Sequence, residues 1–436
     1  MNSLCGFIPQ IIPAEVKGTI KINGRDDLNT LQLARQISMV HQDPETQFCT
    51  ETVEDEMAFG LENRMLARRK IDKRIETTLR DLNCSDLRYR SLHTLSGGEK
   101  QKIAIASMLV LNPKVLILDE PTSNLDSVSM EEVLGSIENV SRRSEELTII
   151  IAEHRIGDLE SKVDRVLRME NGVLGRVIDD FRDLPTDQRK TLTRHSYPEY
   201  ARRVNRYGKT VLNIKGLNCR VNGRWILREI DLKVRKNEMV ALMGRNGSGK
   251  TTLIKHIAGL LEVQEGEIYL AGENLNPSRS IPPWRLGRKL GYVFQNPNHQ
   301  IFENTVEKEM LFGPNNFGKG IENGEKKLMD MENEGVGRKT HPHCMSFGQK
   351  RRLNIHSSSL HDPELIIVDE PFTGQDHENG QKIAGLFYDY HRMGTTLIIV
   401  THDPEFARKF CTRAVVMEDG RVVHDGDPKV LEGILW

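Results

Sequence analysis

MVALMGRNGSGKTTLIKHI, residues 239–257, runs from an aliphatic stretch through a glycine-rich loop into a helix-like segment. That order, strand then loop then helix, is what a phosphate cradle requires. Gly244, Gly247 and Gly249 let backbone amides fold around an anion, and the helix start adds partial positive charge. Lys250 is placed to reach β- and γ-phosphates, and the Thr251 hydroxyl is a magnesium ligand. The expected phosphate-binding run is therefore Gly244, Arg245, Asn246, Gly247, Ser248, Gly249, Lys250, Thr251 and Thr252. A glycine-rich turn that only capped a helix would have no use for the lysine–threonine pair.

Outward from this loop the chain proves to be an internal repeat. SLHTLSGGEKQKIAIASMLVLNPKVLILDEPTSNLD (91–126) aligns with HPHCMSFGQKRRLNIHSSSLHDPELIIVDEPFTGQD (341–376) at a constant offset of 250. HQDPETQFCTETVEDEMAFG (41–60) aligns with FQNPNHQIFENTVEKEMLFG (294–313) at 253, and His154 with His402 at 248. The glutamine, signature, Asp-Glu and histidine blocks, four in one order and at nearly one spacing, mean two copies of one domain.

The runs ending in Asp119-Glu120 and Asp369-Glu370 are short and aliphatic, and each is followed by proline. They are predicted to be buried parallel strands. Carboxylates at their ends suit two tasks: Asp369 as a magnesium ligand, and Glu370 to orient or deprotonate an attacking water.

Taken together, LSGGEKQ with Ser96, Gly97 and Gly98, the P-loop, the Asp-Glu strands, Gln42 and Gln295, and His154 and His402 resemble the ABC ATPase family over nearly the whole chain. The resemblance implies ATP and Mg2+ as ligands. It also implies tandem P-loop NTPase domains of α/β class, each a mainly parallel sheet flanked by helices with a helical subdomain. In that family two domains close head to tail, so that the P-loop of one meets the signature serine and glycines of the other. Lys250, Gln295, Glu370 and His402 are then the catalytic set, with Thr251, Gln295 and Asp369 on the metal.

The glutamine blocks, Gln42-Asp43-Pro44-x-x-Gln47 and Gln295-Asn296-Pro297-x-x-Gln300, are each followed by Thr-Val-Glu-x-Glu-Met-x-Phe-Gly. They resemble the ATPases of energy-coupling factor importers of vitamins and transition-metal ions. In those proteins the first glutamine senses magnesium and γ-phosphate, and the following helix touches a membrane subunit. The implied setting is peripheral, on the cytoplasmic face of the cell membrane, with integral membrane transporter subunits as partners and a small-molecule cargo carried by a separate subunit. A soluble twin-domain ATPase acting on ribosomes or nucleic acid is the alternative, but the connector here is short and holds Pro185 and Pro198, which a long helical linker would not readily accept.

The two copies differ. Leu4-Cys5-Gly6 aligns with Ile257-Ala258-Gly259, so the counterpart of Lys250 would fall before Met1 and the first Walker A segment is expected to be absent. In the second signature Phe347 stands where the first has Gly97. Both departures bear on the same composite site, leaving Gln42, Asp119, Glu120 and His154 in a degenerate one. Either that site is naturally degenerate or the chain is cut short; the intact carboxylates and histidine favour a cut, and a non-catalytic remnant is the limiting case. The expected domains are 1–175, truncated, then a basic connector over 176–210, then 211–436. The family stacks adenine on an aromatic upstream of the P-loop, and the aligned position here is Val221; Trp225 or Tyr207 could substitute, or could equally serve core or linker packing.

Composition sets the outer limits. Lysine plus arginine number 61 against 62 aspartate plus glutamate, so no global field points to nucleic acid, and none is expected as a partner. The six cysteines are scattered without a Cys-x-x-Cys pair, which fits a reducing compartment without metal sites. No apolar run approaches the roughly 20 residues that span a bilayer.

Overall fold

The computed structural model describes the chain except residues 2, 12–13, 124, 126, 144–145, 154–158, 160–161, 171, 179–196, 198–207, 222, 277–280 and 434–436. It divides into two compact units, Met1–Thr193 and Arg194–Trp436.

In the first unit the chain builds β1 (Ile37–Val40), helices α1 (Val53–Asn63), α2 (Arg68–Asp81) and α3 (Gly97–Leu109), then β2 (Val115–Asp119), α4 (Ser127–Arg143) and β3 (Thr148–Ala152). A hairpin of β4 (Val166–Glu170) and β5 (Val173–Ile178) follows. The three first strands form a parallel sheet in the order β1-β2-β3. Helix α1 starts where Thr52 accepts a hydrogen bond from the Asp55 amide, and its first turn is acidic, complementing the helix dipole. Strand β3 lies at the edge of the described sheet, and Ile150 on it is 37% exposed.

The second unit opens with β6 (Thr210–Val221) and β7 (Arg224–Arg235), a long antiparallel pair, followed by β8 (Met239–Met243), α5 (Lys250–Ile257), β9 (Glu265–Leu270), β10 (Glu273–Asn274) and β11 (Leu290–Val293). Helices α6 (Val306–Phe317), α7 (Ile321–Asn333) and α8 (Phe347–Ser359) come next. Strand β12 (Leu365–Asp369), α9 (His377–Arg392), β13 (Leu397–Val400), α10 (Pro404–Phe410) and the hairpin β14 (Arg413–Glu418) with β15 (Arg421–Gly426) complete it. The described strands form two sheets, an antiparallel one in the order β10-β9-β6-β7 and a six-stranded one in the order β11-β12-β13-β8-β14-β15. The second is parallel except for its last strand. Every residue of β8, β12 and β13 is buried, as continuous aliphatic runs in a covered parallel sheet must be. Helices α6, α7 and α8 close a core of their own around Met310, Leu328 and Leu353, which is the helical subdomain expected from the sequence.

The repeat is visible in detail. The site of a Cβ on Gly6 would sit 2.6 Å from Leu33, and that of Gly259 2.6 Å from Leu286; both pairs are related by the offset of 253. Strand β5 runs through residue 178, three residues into the expected connector. Most of the connector's remainder lies outside the described residues.

Candidate functional site

The phosphate loop leaves β8, the strand held between β13 and β14. Gly244, Gly247 and Gly249 have φ of 145°, 81° and 99°, backbone that side-chain-bearing residues rarely adopt. A Cβ on Gly244 would stand 2.2 Å from the Met417 carbonyl oxygen, and one on Gly249 2.8 Å from that of Ile226. The glycines are thus required by conformation and by neighbouring backbone alike. Lys250 is buried and its ammonium donates to the carbonyl oxygens of Gly244 (2.6 Å) and Arg245 (2.9 Å), which curls the loop around its own lysine. Arg245, Asn246 and Gly247 form the exposed crest, Ser248 and Gly249 lie buried beneath it, and Thr251 and Thr252 open α5.

Strand β12 ends beside this loop's strand system, delivering Asp369 and Glu370. Glu370 has φ of 45° and Glu120 in the other copy 46°, so the same left-handed turn follows both strands. A non-glycine residue held there stores strain of order 1–3 kcal/mol, a cost proteins tend to keep at functional positions. The Glu370 Oε1 lies 2.9 Å from His402 Nε2. Burial, and then the like charge of Glu370, pushes the Asp369 carboxyl up to about 7 against the pull of Lys250 and Arg351. Among the described residues Asp369 Oδ1 and Ser248 Oγ are buried without a hydrogen-bond partner. A carboxylate crowded by a second one, with an orphaned oxygen near a loop of amides, fits a divalent cation and phosphate.

Gln295 is exposed, and its backbone rather than its side chain is gripped: Arg351 donates to the carbonyl oxygens of Phe294 (2.6 Å) and Gln295. In the first unit Gln42 Nε2 donates to Glu120 Oε2 at 2.6 Å, which brings two members of the predicted degenerate set together, with Asp119 one residue away; His154 lies outside the described residues. Ser96 caps α3 in a reciprocal box with Glu99, and Ser346 caps α8 with Gln349. Ser96 and Gly97 are exposed, whereas Gly98 packs on Ser129, where a Cβ would stand 2.9 Å away. Val221 is 50% exposed, and Trp225 is covered by the Arg220 guanidinium at 3.5 Å. Tyr207 falls outside the described residues.

Two contributors were not anticipated. Arg351 aligns with Gln101 in the repeat, so the exchange of a neutral amide for a charge between the two copies was the available signal. Tyr197 carried none: it is buried against Phe372, Phe406 and Phe410, and its hydroxyl bonds Asp403, the neighbour of His402, at 2.8 Å.

A parallel sheet with a glycine-lined phosphate loop, a buried lysine and paired carboxylates at the next strands' ends defines a P-loop nucleotide-binding protein. The ABC transporter family model matches residues 1–123 and 227–373. An ABC transporter ATP-binding protein of Methanosarcina mazei is 35% identical over 97% of this chain and 85% of its own length, and one of Saccharolobus solfataricus is 32% identical over the same shares. Among solved structures, cbiO1 of Clostridium perfringens, described as part of the cbiONQ transporter complex, is 30% identical over 52% of this chain and 92% of its own, with a TM-score of 0.46. The chain belongs to the ABC transporter ATP-binding family, whose members bind and hydrolyse ATP. No described helix is long and apolar enough to cross a membrane.

Proposed function

We propose that this chain is the ATP-hydrolysing, energy-coupling subunit of a membrane importer of the energy-coupling factor type, serving a vitamin, a metal ion or a similar small solute. It would act as a peripheral protein on the cytoplasmic face of the cell membrane, bound to integral membrane subunits, with the cargo held by a separate protein. The supporting observation is the pair of glutamine blocks, each leading into a Thr-capped helix with the sequence Val-Glu-x-Glu-Met-x-Phe-Gly. In this reading residues 1–175 and 211–436 are two ATPase domains.

The second unit's residues divide the work. The amides of Gly244–Gly249 and the Lys250 ammonium bind the β- and γ-phosphates. Thr251, Gln295 and Asp369 would hold magnesium, which supplies neutralisation of phosphate charge. Glu370 orients the attacking water and accepts its proton, and His402, already 2.9 Å from Glu370, holds that carboxylate and the γ-phosphate in register. Ser96, Gly97 and Gly98 present the hydroxyl and amides suited to the far side of a γ-phosphate, which Phe347 obstructs in the other copy.

Tagging the chain at its C-terminus in its native cell, and identifying what co-purifies from mild detergent, tests the importer reading. A polytopic membrane protein in fixed stoichiometry supports it, and ribosomes in its place sink it. Glu370→Gln should slow ATP turnover by about 10²–10⁴-fold with nucleotide binding kept; undiminished turnover refutes the assignment.

A further inference from the structure

Arg351 is fully buried in the second turn of α8, five residues after the signature serine Ser346. Its guanidinium donates to two successive backbone carbonyls, Phe294 at 2.6 Å and Gln295, and the Phe347 ring lies 5.5 Å from its central carbon. Burying a guanidinium costs several kcal/mol unless it is bonded and faced by opposite charge. Here both Nη atoms are bonded while Nε is buried without a partner among the described residues, and the carboxylates of Asp369 and Glu370 act on the guanidinium from the end of β12.

The repeat supplies an internal control. The first unit has Gln101 at the matching position, equally buried, with its Nε2 bonded to nothing described. Filling this position therefore does not call for an arginine. Gly97 and Gln101 are replaced by Phe347 and Arg351, and the two new side chains lie one against the other. The pair sits at one end of the signature helix and at one edge of the glutamine loop.

We propose that Arg351 is a positioning residue that locks the backbone at Phe294–Gln295 to α8, and so sets how far the Gln295 side chain reaches, with Phe347 packed beside the guanidinium. The inference rests on the reading that Gln295 takes part in turnover. A loop so tied cannot retract its glutamine without moving the signature helix. The second unit thus couples its own signature segment to its own ATP site through one side chain, a coupling Gln101 does not make in the first.

The test uses the full chain with Arg351→Gln, which installs the first unit's residue, and Arg351→Lys, which keeps a donor and the charge. A misplaced glutamine lowers kcat in Arg351→Gln by about tenfold or more while KM for MgATP changes by less than about threefold. The lysine variant recovers most of that loss, and the thermal midpoint of Arg351→Gln does not fall in step with kcat. Wild-type kcat in Arg351→Gln, or losses that track thermal stability alone, overturns the proposal. Should the wild type lack turnover, the catalytic reading of this chain fails and the lock is judged by amide hydrogen exchange. Exchange at residues 294–300 then accelerates about tenfold in Arg351→Gln if the lock exists and is unchanged if it does not.

Discussion

His356 offers a prediction whose size follows from its surroundings. It is buried in α8 with Nδ1 2.8 Å from the Tyr390 hydroxyl, and burial depresses its pKa from 6.5 to about 3. The folded imidazole therefore stays neutral where the unfolded one takes up a proton. Its contribution to stability is complete above pH 6.5 and is lost as pH falls toward about 3. At 1.36 kcal/mol per unit, lowering pH from 8 to 5 removes about 2 kcal/mol through this one group. His356→Gln keeps a donor for the Tyr390 oxygen and removes the titration. Urea unfolding followed by tryptophan fluorescence isolates the relevant unit, because Trp225, Trp284 and Trp436 all lie in the second half. The wild type should lose about 2 kcal/mol more than the variant between these pH values, whatever their absolute stabilities. Equal losses in both proteins refute the buried neutral imidazole.

Further outcomes are expected at Gly244, at the Ile398 and Ile150 pair, and at Tyr197. Gly244→Ala, which drives a Cβ to 2.2 Å from the Met417 oxygen at a φ of 145°, should abolish detectable ATP binding by equilibrium dialysis while the fluorescence-monitored fold persists. Ile398→Thr on β13, where the side chain is 1% exposed, should cost about 2 kcal/mol more in unfolding free energy than Ile150→Thr at the matching position of β3, which is 37% exposed. Ile150→Thr should also reduce aggregation measured by light scattering, since it interrupts an uncharged aliphatic edge strand. Tyr197→Phe removes the donor to Asp403 and should lower stability by about 1 kcal/mol in urea titration, with Tyr197→Ala costing about 3–5 kcal/mol through the emptied aromatic pocket.

The sequence by itself determined the phosphate loop, the two Asp-Glu strand ends, the signature segments and the duplication. These features are local: each is a run of adjacent residues legible from its glycines, aliphatic content and chemistry-bearing side chains. The shared spacing of the blocks was enough to show two copies of one domain, and the parallel sheet followed from aliphatic strands separated by helices. Tertiary structure decided what stands beside what. Glu370 meets His402 because β12 and β13 are parallel neighbours, a pairing that brings residues 32 apart to 2.9 Å. Tyr197 reaches Asp403 across 206 residues, and Arg351 reaches Phe294 across 57. Ile150 and Ile398 occupy the same place in the repeat, yet one is half-exposed at a sheet edge and the other is enclosed between β12 and β8. Burial, charge regulation and the grip on Gln295 are properties of neighbours across strands, and strand order is set by packing that no local pattern encodes.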